Sequence, residues 1–251
     1  MNNPGFTESR KTVFNYIEWR IKRMSPAVNK IQQIQNLKNN HVLDIGCGYG
    51  AFCSILSSKG AIVTGVETDS DKLKIARNFL NKLNNVHLFK VKDEKLEFKN
   101  NSFDVVFIFD VIEHIKNPKQ TINECVRVLK PGGLLYVEFT PYYSITGHHL
   151  YDYAKWPIHI LPEKIIKKIV FTKKLSSFFT NDYFWNQFKS LNKIRISDFQ
   201  KMMGKFKIVE ERYIIKYPDK FEFNLPFVKY FGIFKDLFTM SFEGIYINNK
   251  K

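Results

Sequence analysis

The sequence predicts an α/β fold, doubly wound around a mostly parallel sheet, and three observations predict it. Short apolar runs alternate with helical stretches from residue 41 to residue 139. One run, FDVVFIF at residues 103–109, is near-continuously apolar, as suits a strand buried on both faces. A glycine-rich turn, IGCGYG at residues 45–50, joins the first run to the helix that follows it. Strands alternating with helices imply right-handed crossovers and parallel pairing.

The elements follow in order. Val13, Phe14, Ile17, Ile21 and Met24 recur at helical spacing, and Pro26 predicts a break before a second helix ending near Leu37. Residues 41–45 form the first strand, and residues 51–59 a helix closed by Gly60. Residues 61–66 are the second strand. Asp69 or Ser70 caps a helix to about Leu83. Residues 86–91 and 103–109 are strands three and four. A helix starts at Pro118 and ends near Leu129, and Pro131-Gly132-Gly133 turns into a fifth strand at 134–139. From Thr140 the pattern breaks. Residues 140–192 are rich in aromatics and lysine with weak strand signals. Regular texture returns with a helix at 197–203 and strands at 206–215 and 239–248, with an irregular aromatic stretch at 218–236 between them. The simplest reading is one Rossmann-like domain over 1–251, with N-terminal helices at 1–39 and a core at 40–140. An aromatic lid is made from insertions at 140–192 and 218–237.

Length and composition agree. The 251 residues suit one large α/β domain, 44% hydrophobic and 25% charged. No apolar run approaches the roughly 20 residues that span a bilayer, and the first residues carry no secretion-signal core, so cytoplasmic location is expected. The net charge of +15 is spread along the chain rather than gathered in one block. That field suits an anionic small molecule, and a nucleic-acid partner is not expected. Cys47, Cys53 and Cys125 are too sparse for a disulfide framework, lack metal spacing, and read as structural.

The informative segment is VLDIGCGYG, residues 42–50. Gly46 and Gly48 let the backbone approach a ligand where a Cβ would clash. The loop lies at the carboxyl end of a strand, where open α/β sheets bind ligands. Glu67 ends the second strand about 20 residues on, placed to accept both hydroxyls of a ribose. Asp44 is a poor neighbour for a pyrophosphate and a good one for a cationic amino-acid tail beside a sulfonium. Asp93 follows the third strand, where a carboxylate can accept from an adenine amino group.

In this order and spacing, VLDIGCGYG, GVETD, KVKDEKLEF, FDVVFIFDVIEHI and VLKPGGLLYVEF resemble the class I S-adenosylmethionine-dependent methyltransferases, more narrowly those acting on small molecules. The resemblance covers roughly residues 40–140. It implies a seven-stranded sheet whose last strand is inserted antiparallel, and S-adenosylmethionine as cofactor. Asp44, Gly46, Cys47 and Gly48 would line its methionine and ribose side. Glu67 with Thr68 would hold the ribose hydroxyls, Asp93 would sit at adenine, and Asp110 with Val111 near the methionine part.

Methyl transfer from a sulfonium needs an aligned nucleophile, excluded water and, for a hydroxyl acceptor, a place for its proton. His114 follows the fourth strand, near where the methyl should lie. The segment from Pro141 to Glu163 holds His148, His149 and His159 among Tyr142, Tyr143, Tyr151, Tyr153 and Trp156. His148, His149 and His114 are the candidate bases, and Tyr142, Tyr143, His148, His149 and Tyr151 the candidate acceptor contacts. Adjacent His148 and His149 lack ligand spacing, so no metal is expected. The lid and SLNKIRISDF, residues 190–199, resemble methyltransferases of bacterial surface-glycan and natural-product pathways. That resemblance implies O-methylation of a sugar, phosphorylated or surface-glycan precursor.

Lipid or quinone methylation and RNA methylation are the alternatives, with a non-catalytic cofactor-fold protein beside them. FDVIEH at 109–114 stands where base-modifying RNA enzymes carry Asp/Asn-Pro-Pro-Tyr/Phe, and no Lys-Asp-Lys-Glu set for ribose is recognisable. An NAD-binding oxidoreductase would need G-x-G-x-x-G at the strand turn. The aromatic, basic stretches at 170–190 and 220–238 fit a lid core or homodimer contact first, and peripheral contact with a membrane second.

Overall fold

The computed structural model describes residues 11–92, 95–154, 156–173, 177–217 and 221–250. The first helix, α1, is Val13–Ile34, capped by the Thr12 side chain, which accepts from the Asn15 amide at 3.1 Å. It runs through Pro26 instead of breaking there. Proline inside a helix costs about 3 kcal/mol, but packing of an apolar face can outweigh it. Ile17, Met24, Ala27, Val28 and Ile31 bury that face, and α1 lies against the next helix.

Then come β1 (His41–Ile45), α2 (Ala51–Ser58), β2 (Ile62–Glu67), α3 (Ser70–Phe79) and β3 (Val86–Lys90). Asp69 caps α3 by accepting from the amides of Asp71 and Lys72. β4 (Phe103–Phe109), α4 (Pro118–Val128) and β5 (Leu129–Phe139) complete the parallel half. β5 begins earlier than its sequence suggests. The register steps from Phe103 opposite Leu129 to Val105 opposite Leu134, so Pro131, Gly132 and Gly133 loop out as a bulge within the strand.

Residues 140–192, with their weak strand signals, hold two helices among turns: α5 is Glu163–Thr172 and α6 is Asn181–Ser190. The two pack on a small core of Leu150, Ile158, Ile166, Val170, Phe179 and Phe184. α5 buries aliphatic Ile166 and Val170, whereas α6 buries aromatic Phe184. α7 (Ile196–Met202) leads to β6 (Phe206–Tyr217), β7 (Phe221–Asn224) and β8 (Ser241–Asn248).

Among the described residues the sheet has eight strands rather than the expected seven, ordered β3-β2-β1-β4-β5-β8-β6-β7. The last strand is inserted antiparallel between β5 and β6, as the resemblance implied. The additional strand is β7, four residues paired antiparallel with the end of β6. A run so short inside an aromatic stretch has no signal of its own, and only its partner defines it.

Two apolar layers hold the sheet. Leu43, Val106, Ile108, Leu135 and Val137 face α4 and α7, packing on Ile122, Cys125 and Phe199. Val42, Val63, Val105, Phe107 and Tyr136 face α1 and α2, packing on Val28, Ile31, Phe52 and Leu56. Side chains alternate along β4, which explains its unbroken apolar run. All three cysteines are buried and free. No helix among the described residues is long and apolar enough to cross a membrane.

Candidate active site

A cavity of about 860 Å³ opens at the carboxyl ends of β1, β2 and β4. α1 and α6 wall it, together with Thr140, His149 and Tyr151 beyond β5. Asp44, Gly46, Cys47, Gly48, Glu67, Thr68, Asp110 and Val111 all line it. Asp93 lies outside the described residues.

The glycine turn has a backbone that other residues adopt poorly. Gly46 has φ +75°, and a Cβ there would collide with Val111. Gly48 has φ +54° and faces open space, so the peptide stays bare where a ligand would approach. Glu67 is buried and both its carboxylate oxygens accept backbone hydrogen bonds. One oxygen accepts from the Gly48 amide at 2.9 Å, the other from the amides of Thr68 at 2.8 Å and Asp69 at 3.0 Å. β2, the glycine turn and the start of α3 are thus pinned around one carboxylate. Such a bare turn beside a strand-end carboxylate fits an adenosine ribose.

Asp44 is 1% exposed and takes a 3.3 Å contact from the Cys53 thiol. Burial pushes its carboxyl up to about 7, and the nearby Arg20 charge offsets only part of that. A cationic group brought into the cavity would restore its charge.

Asp110, expected near the methionine part of the cofactor, is held by α1. It accepts from Arg20 at 2.6 Å and from Arg23, and Arg23 also reaches Glu138 at 3.4 Å. Burial alone would raise the carboxyl, but the two guanidinium groups outweigh it and hold Asp110 well below the usual carboxylate range. Both guanidinium groups also lie over the Phe109 ring, at 5.5 and 5.2 Å. Arg20, Arg23, Lys72, Lys92 and Lys116 all line the cavity. The arginines were missing from the site read in the sequence. Their signal is faint, since helical spacing puts Arg20 and Arg23 on one side of α1 but does not say what that side meets.

The histidines separate. His114 and His149 line the cavity, with ring centroids 5.1 Å apart. His148 does not line it: its side chain is fully buried in the segment after β5, where Nδ1 accepts from the Leu150 amide at 2.9 Å and the ring stacks on His159. Burial lowers all three, His114 and His148 to about 4 and His149 to about 3, so each is neutral at physiological pH. Of the acceptor tyrosines, Tyr151 lines the cavity. Tyr142 packs on His159 instead, and Tyr143 lies under the Arg195 guanidinium at 4.1 Å. None of the described residues between 218 and 237 lines the cavity. That stretch carries exposed Phe223, Phe227, Tyr230, Ile233 and Phe234 on the surface.

A second residue absent from the sequence reading is Glu113. It is 2% exposed, and burial pushes its carboxyl up to about 8 against a smaller opposing pull from the backbone amides of Glu113 and Thr140. One oxygen lies 3.7 Å from Nε2 of His149. Its adjacency to His114 was visible in FDVIEH, but nothing in the sequence says that residue 149 returns to the same point.

Comparison with known proteins agrees with this geometry. Residues 43–137 match a family model described as a methyltransferase domain. The chain is 31% identical over 140 residues to a Coxiella burnetii protein named ubiquinone biosynthesis O-methyltransferase, covering 53% of this chain and 57% of that one. A protein of the same name from Saccharophagus degradans is 36% identical over 107 residues, covering 42% and 45%. The chain thus spans about half the length of the curated relatives it matches. Among solved structures, the PH0226 protein of Pyrococcus horikoshii OT3 superposes with a TM-score of 0.59 at 21% identity, covering 95% of this chain and 93% of that one. A SAM-dependent methyltransferase from Aquifex aeolicus gives 0.53 at 15% identity, covering 91% and 97%. These two likenesses show the shared fold.

Proposed function

We propose, from the premise that this chain carries a class I S-adenosylmethionine-dependent methyltransferase domain, that it methylates a hydroxyl oxygen on a small acceptor molecule. The cofactor supplies a methyl group already activated by its sulfonium charge. The residues supply position and field. Glu67 and the Gly46–Gly48 backbone would hold the ribose side, and Asp44 the cationic amino-acid tail. α1 and α6 close the cavity around the reacting groups and exclude water.

The observation that carries the oxygen reading is the group of side chains at the β4 end. Neutral His149 has a buried Nε2 with no partner, able to accept a hydrogen bond from an acceptor hydroxyl. Lys72, whose charge acts on His114, and Lys116 line the same cavity and favour that hydroxyl in its ionised form. The positive lining also suits an acceptor that carries a phosphate or carboxylate.

Two acceptor classes compete. A sugar, phosphorylated or surface-glycan precursor matches the polar, cationic lining and the lid resemblance. A phenolic ring, as in a quinone precursor, is favoured by the names of the curated relatives and by the aromatic wall of Tyr16, Trp19, Tyr151, Tyr183 and Phe184. The test is release of S-adenosylhomocysteine across a panel of sugars, nucleotide sugars, sugar phosphates and dihydroxybenzoates, with the methylated atom assigned by NMR. Methylation at oxygen is expected. Turnover confined to nitrogen or carbon acceptors would overturn the proposal.

A further inference from the structure

We propose that Lys72 is an anion contact for the methyl acceptor, a subsite that rests on the reading of the β4 end of the cavity as the acceptor's place. It binds a phosphate or carboxylate carried by the acceptor and so sets the preference for anionic over neutral molecules. Lys72 stands in the first turn of α3 and lines the cavity from there. α6 supplies another wall, to which Tyr183, Gln187 and Ser190 contribute. Their spacing along the chain, four residues and then three, puts them on one face of that helix.

The Lys72 ammonium lies 5.8 Å from the centre of the Tyr183 ring, within reach of a cation–π attraction. Further along the same face of α6, Ser190 Oγ lies 2.7 Å from Nδ1 of His114. Burial lowers the His114 imidazole, and the Lys72 charge lowers it further against the pull of Asp110. Lys72, His114 and the polar face of α6 therefore border one part of the cavity. His149 adjoins it, its ring centre 5.1 Å from that of His114. Gln187 stands on the helix face between Tyr183 and Ser190, and its side-chain amide is a donor that a bound anion can use.

Lys72 pairs with no carboxylate among the described residues. The acids that line the cavity are engaged elsewhere. Asp69 accepts from the amides of Asp71 and Lys72 as the cap of α3. Glu67 accepts from the amides of Gly48, Thr68 and Asp69. Asp110 is held by Arg20 and Arg23, and Asp44 lies against the Cys53 thiol. A half-buried ammonium without a counter-ion attracts an anion brought by a ligand, and more strongly than it would in bulk water. The arginines of α1 differ in this respect, because their charge already meets Asp110 and Glu138. Lys72 is thus the cavity cation left to discriminate by charge beside the histidines.

The test is calorimetric binding of matched probes to the full chain saturated with S-adenosylhomocysteine. For a carboxylate, 3,4-dihydroxybenzoate is compared with catechol; for a phosphate, glucose 6-phosphate is compared with glucose. The anionic member of one pair is expected to bind about tenfold more tightly than its neutral parent, and that pair identifies the anion the subsite takes. Lys72→Met keeps the aliphatic stem and removes the charge, so the anionic-to-neutral ratio should fall about tenfold, while Lys72→Arg retains most of it. No preference for either anion in the unaltered protein, or an unchanged ratio in Lys72→Met, would overturn the proposal. S-adenosylhomocysteine affinity and melting temperature are read on each variant, and Lys72→Gln replaces Lys72→Met if that variant fails to fold. Equal weakening of both members with a lower melting temperature would make Lys72 a strut between α3 and α6. Loss of S-adenosylhomocysteine affinity would assign Lys72 to the cofactor, and either result overturns the subsite. The oxygen reading fails separately: a charge preference with methyl transfer to nitrogen or carbon keeps the subsite and removes that reading, and oxygen methylation without a charge preference does the reverse.

Discussion

The two ends of the cavity are built on opposite principles. At the β1–β2 end every carboxylate oxygen of Glu67 is matched by a backbone amide, and the glycine turn is locked against Val66 and Val111. At the β4–β5 end, Glu113 is buried with its carboxyl pushed up to about 8, and Nε2 of half-buried His149 has no hydrogen-bond partner among the described residues. The first end is rigid before any ligand arrives, as recognition of an invariant cofactor requires. The second leaves His149 Nε2 free to meet an acceptor. Substitutions should therefore fail differently at the two ends.

The largest effect is expected at Gly46. A Gly46→Val substitution places a β-branched side chain at φ +75° and drives it into Val111. Strain and overpacking of about 1–3 kcal/mol each should lower S-adenosylhomocysteine affinity on the order of 100-fold, at 1.4 kcal/mol per tenfold. Calorimetry reads this, and near-normal affinity would mean that the turn is not the cradle. Glu67→Ala comes next. It removes the acceptor for three backbone amides and the ribose, and hydrogen bonds to a charged group contribute about 1.5–3 kcal/mol, so affinity should fall roughly 10–100-fold.

The third prediction concerns pH. Asp44 sits at about 7 in the free protein, against an ordinary 3.8. A cationic cofactor tail would favour its ionised form, so binding releases a proton below pH 7. Cofactor affinity should rise about tenfold from pH 6 to pH 8 and level off above, and Asp44→Asn should flatten the profile. Stability of the free protein runs the other way. A carboxyl raised on folding contributes below its unfolded value near 3.8, and that contribution is lost as pH rises through 7. A flat affinity profile in the unaltered protein would remove Asp44 from the cofactor's charged end.

The smallest effect is expected at Arg23. Arg23→Ala leaves Asp110 with Arg20 as its remaining guanidinium partner, so the loss should be about 1–2 kcal/mol, or a few degrees in melting temperature. The binding of anionic acceptors should weaken more than that of neutral ones. Equal weakening would assign Arg23 to the fold alone.

The same contrast explains what was legible in the sequence. The cradle is local: Asp44, Gly46, Gly48 and Glu67 are each fixed by a strand end and a turn that the sequence spells out, so their place could be read directly. Strands β1 to β4 were legible for the same reason, being apolar runs with clear punctuation. The helix through Pro26 was not, because burial of Val28 and Ile31 decides it and periodicity does not. Helix α6 was hidden by its aromatic residues, whose spacing suits either element. His148 and His149 are neighbours in sequence, yet one turns into the lid core and the other to the cavity. Only the backbone turn at His149, with its positive φ, separates them. Glu113 was overlooked because a buried carboxylate looks like any surface acid until its surroundings fold around it.

The most direct measurement is calorimetric titration of the purified chain with S-adenosylhomocysteine and, separately, with NAD. One equivalent of S-adenosylhomocysteine should bind at micromolar affinity or better, with binding lost in the Glu67→Ala, Asp44→Ala double variant and no heat from NAD. Saturable NAD binding, with none for S-adenosylhomocysteine, would contradict the account.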